Sequence, residues 1–268
     1  MGKTGLPPMI GISGVTNIAT YDKVVSCVKP TPERLLCLTA NLTVNTIERG
    51  VPLLDDVRYV RRTMLDDLFS RSIPNVINLV RCLRESPTEK LPPGETLAKA
   101  MRIAGKHCHG IRLSFDDTTT DALIAFRKVM PDAIVVIDMT STALRNRCGG
   151  NILTLCKLLS GYTEEYDDSL VDYMYIEIDE RKGKDGFPLK QGLQLLGVLL
   201  SQKIQNCRFG ISGSINESAV GLLPGTFSKK WEEISVDAGE ALRESGTEIL
   251  LFDRVKTFLT HACGVFNS

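Results

Sequence analysis

The sequence predicts an α/β protein with one domain over residues 1–268, folded as a closed (β/α)8 barrel, also called a TIM barrel. Three observations predict this fold. Eight short apolar or β-branched runs recur along the chain, segments of helical period alternate with them, and 268 residues suffice for such a barrel. An open doubly wound sheet is the alternative that this alternation allows. No linker, low-complexity tract or charge block divides the chain.

Each predicted strand is a short apolar or β-branched run. In chain order the strands are Met9–Ser13, Leu35–Thr39, Val76–Cys82, Gly110–Phe115, Ala133–Met139, Tyr173–Asp179, Arg208–Ser212 and Ile234–Asp237. Of the helices between them, one has an N-cap hydroxyl in Thr118–Asp121 and is closed by Pro131, and another starts at Pro188. The last helix spans about 252–266 and carries apolar residues on one face.

Composition favours small-molecule chemistry. The 32 basic and 32 acidic residues cancel to zero net charge, so no basic field attracts nucleic acid or an anionic membrane. The eight cysteines form no CxxC pair, which is typical of a reducing compartment. With no run long enough to span a membrane and no signal or transit pattern at the start, we expect a cytoplasmic protein. The sequence does not determine its oligomeric state.

Residue types indicate which strand side chains face the barrel interior. In the sixth strand Met174, Ile176 and Ile178 suit the helix layer, so the alternate residues point inward. The same alternation places these residues inside: Gly11, Ser13, Asn78, Arg112, Ser114, Asp116, Asp138, Tyr175, Glu177, Asp179, Gly210, Ser212, Ser235 and Asp237. The predicted interior is therefore unusually polar.

Two of these residues are expected to pair. Alternate strands fill one layer of a barrel, which puts Arg112 and Glu177 at similar depth on the fourth and sixth strands. An unpaired buried charge costs about 3–5 kcal/mol, so each needs the other or a ligand. The sequence leaves open whether such a pair binds a ligand or only fills the barrel.

The carboxyl ends of the strands, where barrel enzymes place their chemistry, carry several polar residues. The candidate catalytic residues are Asp179, Asp138, Asp237 and Ser13. Together with Asp116, four aspartates would repel one another, so we expect one to have a raised pKa or to share a cation. This favours acid–base chemistry, with a cap or loop hydrogen bond as the alternative role of any single aspartate. No metal site and no cofactor are predicted, although a divalent metal at these aspartates is not excluded.

Turns after three strands suggest phosphate binding. Small-residue turns that lead into helices follow the seventh and eighth strands, and a loop with two glycines and three cations follows the sixth. The residues expected to hold phosphate are Gly213, Ser214, Ala238, Gly239, Gly183 and Gly186. We therefore expect a small phosphorylated molecule as the partner.

The sequence resembles the phosphoribosylanthranilate isomerase-like barrels, and more closely a branch of undefined function that shares the spacing of Ile-Ser-Val-Asp237-Ala-Gly-Glu-Ala-Leu-Arg243 at strand eight. The resemblance implies sugar-phosphate substrates and an aldose–ketose rearrangement with a cysteine base in strand one and an aspartate acid in strand six. Asp179 matches that acid, whereas Ser13 stands where the cysteine belongs. A serine hydroxyl cannot serve as the resting base, since only a thiol is tuned to its anion at neutral pH.

Three functions follow from these observations. The first is an isomerase or lyase acting on a phosphorylated compound, with Asp179 as acid and Asp138 or Asp237 as base. The second is a barrel without chemistry that serves as a ligand sensor or interaction scaffold, which Ser13 favours. The third is a metal-dependent aldolase or hydrolase. An open polar pocket at the mouth indicates the enzyme, and a mouth plugged by side chains indicates the scaffold.

Overall fold

Eight parallel strands close into a barrel in the order β1 to β8, which confirms the predicted fold. The computed structural model describes residues 6–52, 59–84, 94–164, 170–181, 185–202, 204, 207–244 and 249–266, with the backbone alone for 160–164. The strands are β1 Met9–Ser13, β2 Leu35–Thr43, β3 Val76–Leu83, β4 Gly110–Ser114, β5 Ile134–Met139, β6 Tyr173–Ile178, β7 Arg208–Gly213 and β8 Ser235–Ala238.

Helices surround the barrel on the outside. They are α1 Ile18–Ser26, α2 Val44–Arg49, α3 Arg62–Leu68, α4 Gly94–Ile103, α5 Thr120–Val129, α6 Ser141–Cys148, α7 Ile152–Glu164, α8 Leu189–Ser201, α9 Glu217–Gly221, α10 Leu223–Phe227 and α11 Phe252–Phe266. Side chains such as those of Asn17, Thr119 and Thr140 accept hydrogen bonds from helix amides and so fix where α1, α5 and α6 begin. In the described part of the chain, no helix is both long and apolar enough to cross a membrane.

The second and third strands are longer than the sequence predicts. β2 pairs in parallel with β3 from Leu36 opposite Val76 to Thr43 opposite Leu83. The extension of β2 beyond Thr39 adds Asn41 to the set of residues that face the barrel interior at the carboxyl end. Asn41, a residue type that strands disfavour, interrupts the apolar run and hid this extension.

Two apolar cores lie on the two sides of the strands. The larger one lies between the strands and the helices. The smaller one fills the lower barrel with Met9, Leu35, Cys37, Leu79, Ile134, Val136, Tyr173 and Tyr175. Because apolar side chains close the lower barrel, the polar residues that point inward gather towards its carboxyl end.

The predicted orientation of the third strand is wrong. Asn78 was expected inside the barrel, but its Oδ1 accepts a hydrogen bond from Tyr21 of α1 and its Nδ2 donates to the His107 carbonyl. Leu79 lies in the inner core instead, so Arg81, two residues later, also points inward. The two alternating sets of this strand are equally apolar, which is why residue types could not separate them.

A buried ion pair ties α5 to the amino ends of two strands. Nη2 of Arg127 lies 2.7 Å from Oδ2 of Asp172, and both side chains are buried. The same Oδ2 accepts from the Val135 amide at 2.7 Å, and the guanidinium also donates to the carbonyls of Ala133 and Leu170. This pair therefore holds the strand ends of β5 and β6 against a helix.

We expect Asp172→Ala to lower the free energy of unfolding by about 3–5 kcal/mol, because it leaves the buried Arg127 cation without its carboxylate. Urea denaturation measures the change. Asp132→Ala, at an exposed carboxylate near the same strand, is the matched control and should change the free energy by less than about 0.5 kcal/mol. Equal urea midpoints for the two variants would show that the pair contributes little.

Candidate functional site

A polar cavity of about 160 Å³ lies at the carboxyl ends of the strands. Its described lining is mostly polar or charged and consists of Ser13, Asn41, Arg81, Leu83, Arg112, Glu177, Ser212, Gly213, Asp237, Gly239, Glu240 and Arg243. A smaller cavity of about 20 Å³, between the amino end of β2 and α11, has room for little more than one water molecule. The larger cavity is the candidate site, since it lies where barrel enzymes place their chemistry.

Arg112 crosses the floor of this cavity and joins two aspartates. Its Nε donates to both carboxylate oxygens of Asp138, at 3.0 and 2.8 Å, and its Nη2 donates to Oδ1 at 2.7 Å. On the far side, Nη1 donates to Ser13 Oγ at 2.9 Å and lies 2.8 Å from Oδ1 of Asp237. All of these side chains are buried. One guanidinium thus links β4, β5, β1 and β8.

The expected pair between Arg112 and Glu177 is not formed. Arg112 instead forms ion pairs with Asp138 and Asp237. Asp138 lies on the neighbouring strand, two residues further towards the carboxyl end, and Asp237 lies across the barrel. Glu177 pairs with Arg81, whose Nη2 lies 3.1 Å from Oε2 of Glu177 and 3.0 Å from Oδ2 of Asp138. Because the orientation predicted for β3 is wrong, the sequence analysis did not identify Arg81 as the partner of Glu177.

The pKa values of the two carboxyls beside Arg81 are shifted in opposite directions. Burial alone would raise the pKa of Asp138, but Arg112, Arg81 and the hydrogen bonds from Arg112 and Ser212 hold that pKa below its ordinary value. Burial raises the pKa of Glu177 above its ordinary value, with Arg81 opposing the shift and the negative charge of Asp138 adding to it. Asp138 is therefore a permanent carboxylate, and Glu177 is the cavity carboxyl suited to take up and release a proton.

Ser13 and Asp237 are held in a fixed arrangement. Ser13 Oγ donates to Oδ1 of Asp237 at 2.5 Å while it accepts from Arg112. Oδ2 of Asp237 has no hydrogen-bond partner among the described residues, and a Cβ at position 11 would lie 2.1 Å from it. Gly11 is therefore needed for the close approach of Asp237. Ser13 positions Asp237 and is not itself placed to act as a base.

The other two aspartates of the predicted mouth lie apart from these. Asp179 follows β6 and binds Arg181 through both oxygens, Oδ1 to Nε at 2.9 Å and Oδ2 to Nη2 at 2.6 Å. Asp116 accepts from Nδ2 of Asn146 at 3.1 Å. Neither aspartate is among the described residues that line the cavity. The cation that two of the four aspartates share is the guanidinium of Arg112.

The predicted phosphate turns meet the cavity in part. Gly213, with a φ of 91°, and Gly239 line it. The Ser214 amide donates to the Ile178 carbonyl at 2.9 Å, and the Gly239 amide donates to the Gly213 carbonyl at 3.3 Å. These two amides thus hold the barrel end together in this structure.

The remaining predicted phosphate residues lie elsewhere. Ala238 is buried in the outer core, and Gly186 packs closely against Asp179. Gly183 lies outside the described residues. In the described part of the chain, no group of three or more His, Cys, Asp or Glu side chains is arranged to hold a metal ion.

Sequence reasoning missed four polar or charged residues that line the cavity, namely Asn41, Arg81, Glu240 and Arg243. Asn41 lies beyond the predicted end of β2. Glu240 pairs with Arg181, and Nη2 of Arg243 donates to the Ser13 carbonyl at 3.3 Å. The last two follow β8 within the motif that carried the family resemblance, so the motif was the signal that could have found them.

Solved structures of phosphoribosylanthranilate isomerase share this architecture. The isomerase from Thermotoga maritima matches with a TM-score of 0.61 and 13% identity, and the one from Thermus thermophilus with 0.59 and 12%; each match covers 96% of this chain and 99% of the other. The chain has the fold of these isomerases. The native KDPGal structure matches with a TM-score of 0.52 and 10% identity over 100% of this chain and 98% of that one.

Comparison at the level of sequence gives no match for this chain. No family model and no curated protein matches the chain. At such low identity the structural likeness establishes the fold and leaves the reaction to be argued from the residues of the cavity.

We expect Arg112→Met to lower the free energy of unfolding by about 3–5 kcal/mol at pH 7, because Asp138 and Asp237 lose the cation that they share. The loss should shrink at pH 5, since without Arg112 the buried Asp138 is protonated more readily. Urea denaturation at the two pH values measures both effects. Arg145→Met, at an exposed arginine on α6, should change stability by less than about 0.5 kcal/mol at either pH. A loss that is the same at both pH values would contradict the argument.

Proposed function

We propose that this barrel is an enzyme that binds a small sugar phosphate at the carboxyl-terminal cavity and catalyses a proton transfer, as an isomerase or a lyase does. The observation that carries the proposal is the open polar cavity in which Glu177, a carboxyl with a raised pKa, lies beside arginines. A cavity with convergent polar groups and a carboxyl of perturbed pKa is typical of an active site.

The charges of the cavity suit a ligand with an anionic end. Four cavity residues follow one another around the barrel, from the segment after β8 through β1 and β2 to β3: Arg243, Ser13, Asn41 and Arg81. Arginine binds phosphate and carboxylate groups through planar pairs of N–H donors. The anionic end of the ligand would bind on this side, with its carbon skeleton extending towards Glu177 on β6.

Glu177 is better placed than Asp179 to act as the general acid. Both were expected to point inward from the sixth strand, but Glu177 lines the cavity, whereas Asp179 is bound by Arg181 through both oxygens. A protonated Glu177 would donate its proton to a ligand oxygen and become a carboxylate. Of the two candidate bases, Asp237 lines the cavity and would accept a proton from carbon, while Asp138 is fully buried beneath it.

The rest of the proposal concerns partners and location. We infer a cytoplasmic enzyme that needs no cofactor and binds neither nucleic acid nor membranes. Zero net charge supports the absence of polyanionic partners, and the unpaired state of all eight cysteines is in keeping with a reducing compartment.

One observation favours a barrel without chemistry. Ser13 occupies the position of the family's cysteine base, and its hydroxyl is held between Asp237 and Arg112. The rearrangement implied by the resemblance therefore lacks its base here. A ligand sensor or interaction scaffold is the second candidate function.

Binding is tested first. Ribose 5-phosphate at 100 times its dissociation constant adds about 2.7 kcal/mol and should raise the thermal midpoint by roughly 5 °C. Inorganic phosphate at the same concentration is the control, with and without magnesium. A larger shift with ribose 5-phosphate supports a sugar-phosphate site, and no shift with either compound favours the scaffold.

Proton transfer is tested by solvent exchange. Incubation of ribose 5-phosphate with the protein in D2O, followed by NMR, reports deuterium incorporated at carbon whatever the product. We expect Glu177→Gln to slow the incorporation by about 10²–10⁴-fold while ligand binding persists, because the amide cannot donate a proton as an acid does. Asp179→Asn is the matched control. If Asp179→Asn abolishes exchange and Glu177→Gln does not, Asp179 is the acid; if the parent protein exchanges no deuterium, this substrate is not turned over.

A further inference from the structure

Acidic and basic side chains alternate along one continuous chain of contacts beneath and beside the cavity, partly exposed at one end and buried at the other. The order is Glu177, Arg81, Asp138, Arg112 and Asp237, and each neighbouring pair lies within 3.1 Å. The chain begins and ends on a carboxyl, so fully ionised it has one negative charge in excess. An anionic ligand would add to this excess, so we expect one of these contacts to be released when the ligand binds.

Two of the three cavity arginines are poorly suited to receive a ligand. Arg112 is 2% exposed, and its Nε, Nη1 and Nη2 already contact Asp138, Ser13 and Asp237. Arg243 is buried and packs closely against Gly14: a Cβ added to Gly14 would lie only 1.9 Å from Nη2 of Arg243. Releasing Arg112 would leave two buried carboxylates without the cation that they share, and releasing Arg243 would break its hydrogen bond to the buried Ser13 carbonyl.

Arg81 differs from both. Its side chain is 21% exposed, and its ion pairs with Asp138 and Glu177 are both made through Nη2. Nε is buried and has no hydrogen-bond partner among the described residues. A guanidinium whose ion pairs are made through Nη2 alone, and whose side chain is partly exposed, has N–H groups left for a second acceptor such as a phosphate or carboxylate group.

Glu177 is the partner that Arg81 can exchange most easily. Its side chain is 27% exposed, and Nη2 of Arg81 is its hydrogen-bond donor. Asp138, the other partner of Arg81, is completely buried and also accepts from Arg112 and Ser212. Loss of the Glu177 contact would therefore leave a carboxyl at the cavity surface, where a proton can neutralise it.

We propose that Arg81 is the anion-binding residue of the cavity: it exchanges its contact with Glu177 for the phosphate or carboxylate group of the ligand, and Glu177 takes up one proton from solvent in the exchange. This inference rests on the proposed function, because it assigns the anionic end of that ligand to a residue. The O–H bond of the protonated Glu177 is the one covalent bond that forms, its proton comes from solvent, and it neutralises one carboxylate as one anion enters.

Burial favours this uptake, and the charged groups around Glu177 act in both directions. Arg81 on β3 and Arg112 on β4 oppose it, while Asp138 on β5 favours it. The neighbouring β7 contributes Ser212 and Gly213, which carry no charge. Beyond them the other cavity acids are Asp237 and Glu240, the latter paired with Arg181, which also binds Asp179 on the segment that follows β6.

The direction of the pH effect follows from linkage. If the anion binds more tightly when Glu177 is protonated, anion affinity rises as the pH falls. The affinity for the anion rises by at most tenfold for each unit that the pH falls, over the range in which Glu177 is ionised in the ligand-free protein. At lower pH Glu177 is already protonated before the anion binds, and the affinity no longer rises.

Calorimetric titration with sulfate tests the inference, because sulfate does not itself titrate between pH 5.5 and 7.5. The titrations use constant ionic strength and two buffers of different ionisation enthalpy, which together count the protons taken up. For the parent protein we expect tighter binding at pH 5.5 than at pH 7.5 and an uptake of up to one proton. For Glu177→Gln we expect no proton uptake, the same affinity at both pH values, and binding at pH 7.5 at least as tight as that of the parent.

Arg81→Met should abolish sulfate binding, and Arg145→Met, at an exposed arginine of α6, should leave it unchanged. The inference is overturned if Glu177→Gln retains the proton uptake, if it fails to bind sulfate, or if folded Arg81→Met binds as the parent does. Since Glu177→Gln keeps the side-chain shape, it decides the matter even if Arg81→Met does not fold. A protein that binds sulfate in this way but does not distinguish ribose 5-phosphate from phosphate would keep this inference and lose the sugar-phosphate proposal.

Discussion

The upper barrel depends on Arg112 and the two buried aspartates that share it. A guanidinium with 2% exposure is stable only because Asp138 and Asp237 surround it, and its removal would leave two buried carboxylates without the cation that they share. These contacts join β4 to β5 on one side and to β1 and β8 on the other. The floor of the cavity is therefore an electrostatic unit, in which the loss of one side chain leaves another buried charge without a partner.

Other features of the site follow from that unit. Gly11 leaves room for Asp237, and Ser13 completes the contacts of Arg112 and Asp237. Because Arg112 is satisfied within the floor, Arg81 and Glu177 form a second, more accessible pair above it. The barrel thus separates a fixed layer of charges, which holds the strands together, from an exchangeable layer that faces the cavity.

Much of the interior could be predicted where one face of a strand is clearly apolar. In β6 the alternation of Met174, Ile176 and Ile178 identified the inward face that carries Glu177. In β3 one set holds Val76, Asn78, Val80 and Cys82 and the other Ile77, Leu79, Arg81 and Leu83, so each has three apolar residues and one polar residue. Periodicity cannot show which face of such a strand points inward. The prediction therefore missed Arg81, the most exposed of the three cavity arginines.

The sequence by itself determined the closed barrel, its eight strands and the polar nature of its carboxyl end, because these depend on local periodicity and on the few ways to bury alternating strands and helices. Only the tertiary structure decided which charges meet. Arg112 was expected to contact Glu177 and instead contacts Asp138 and Asp237, while Arg81 takes Glu177. The partner of a long side chain depends on distances across the barrel, which strand order and alternation along one strand do not specify.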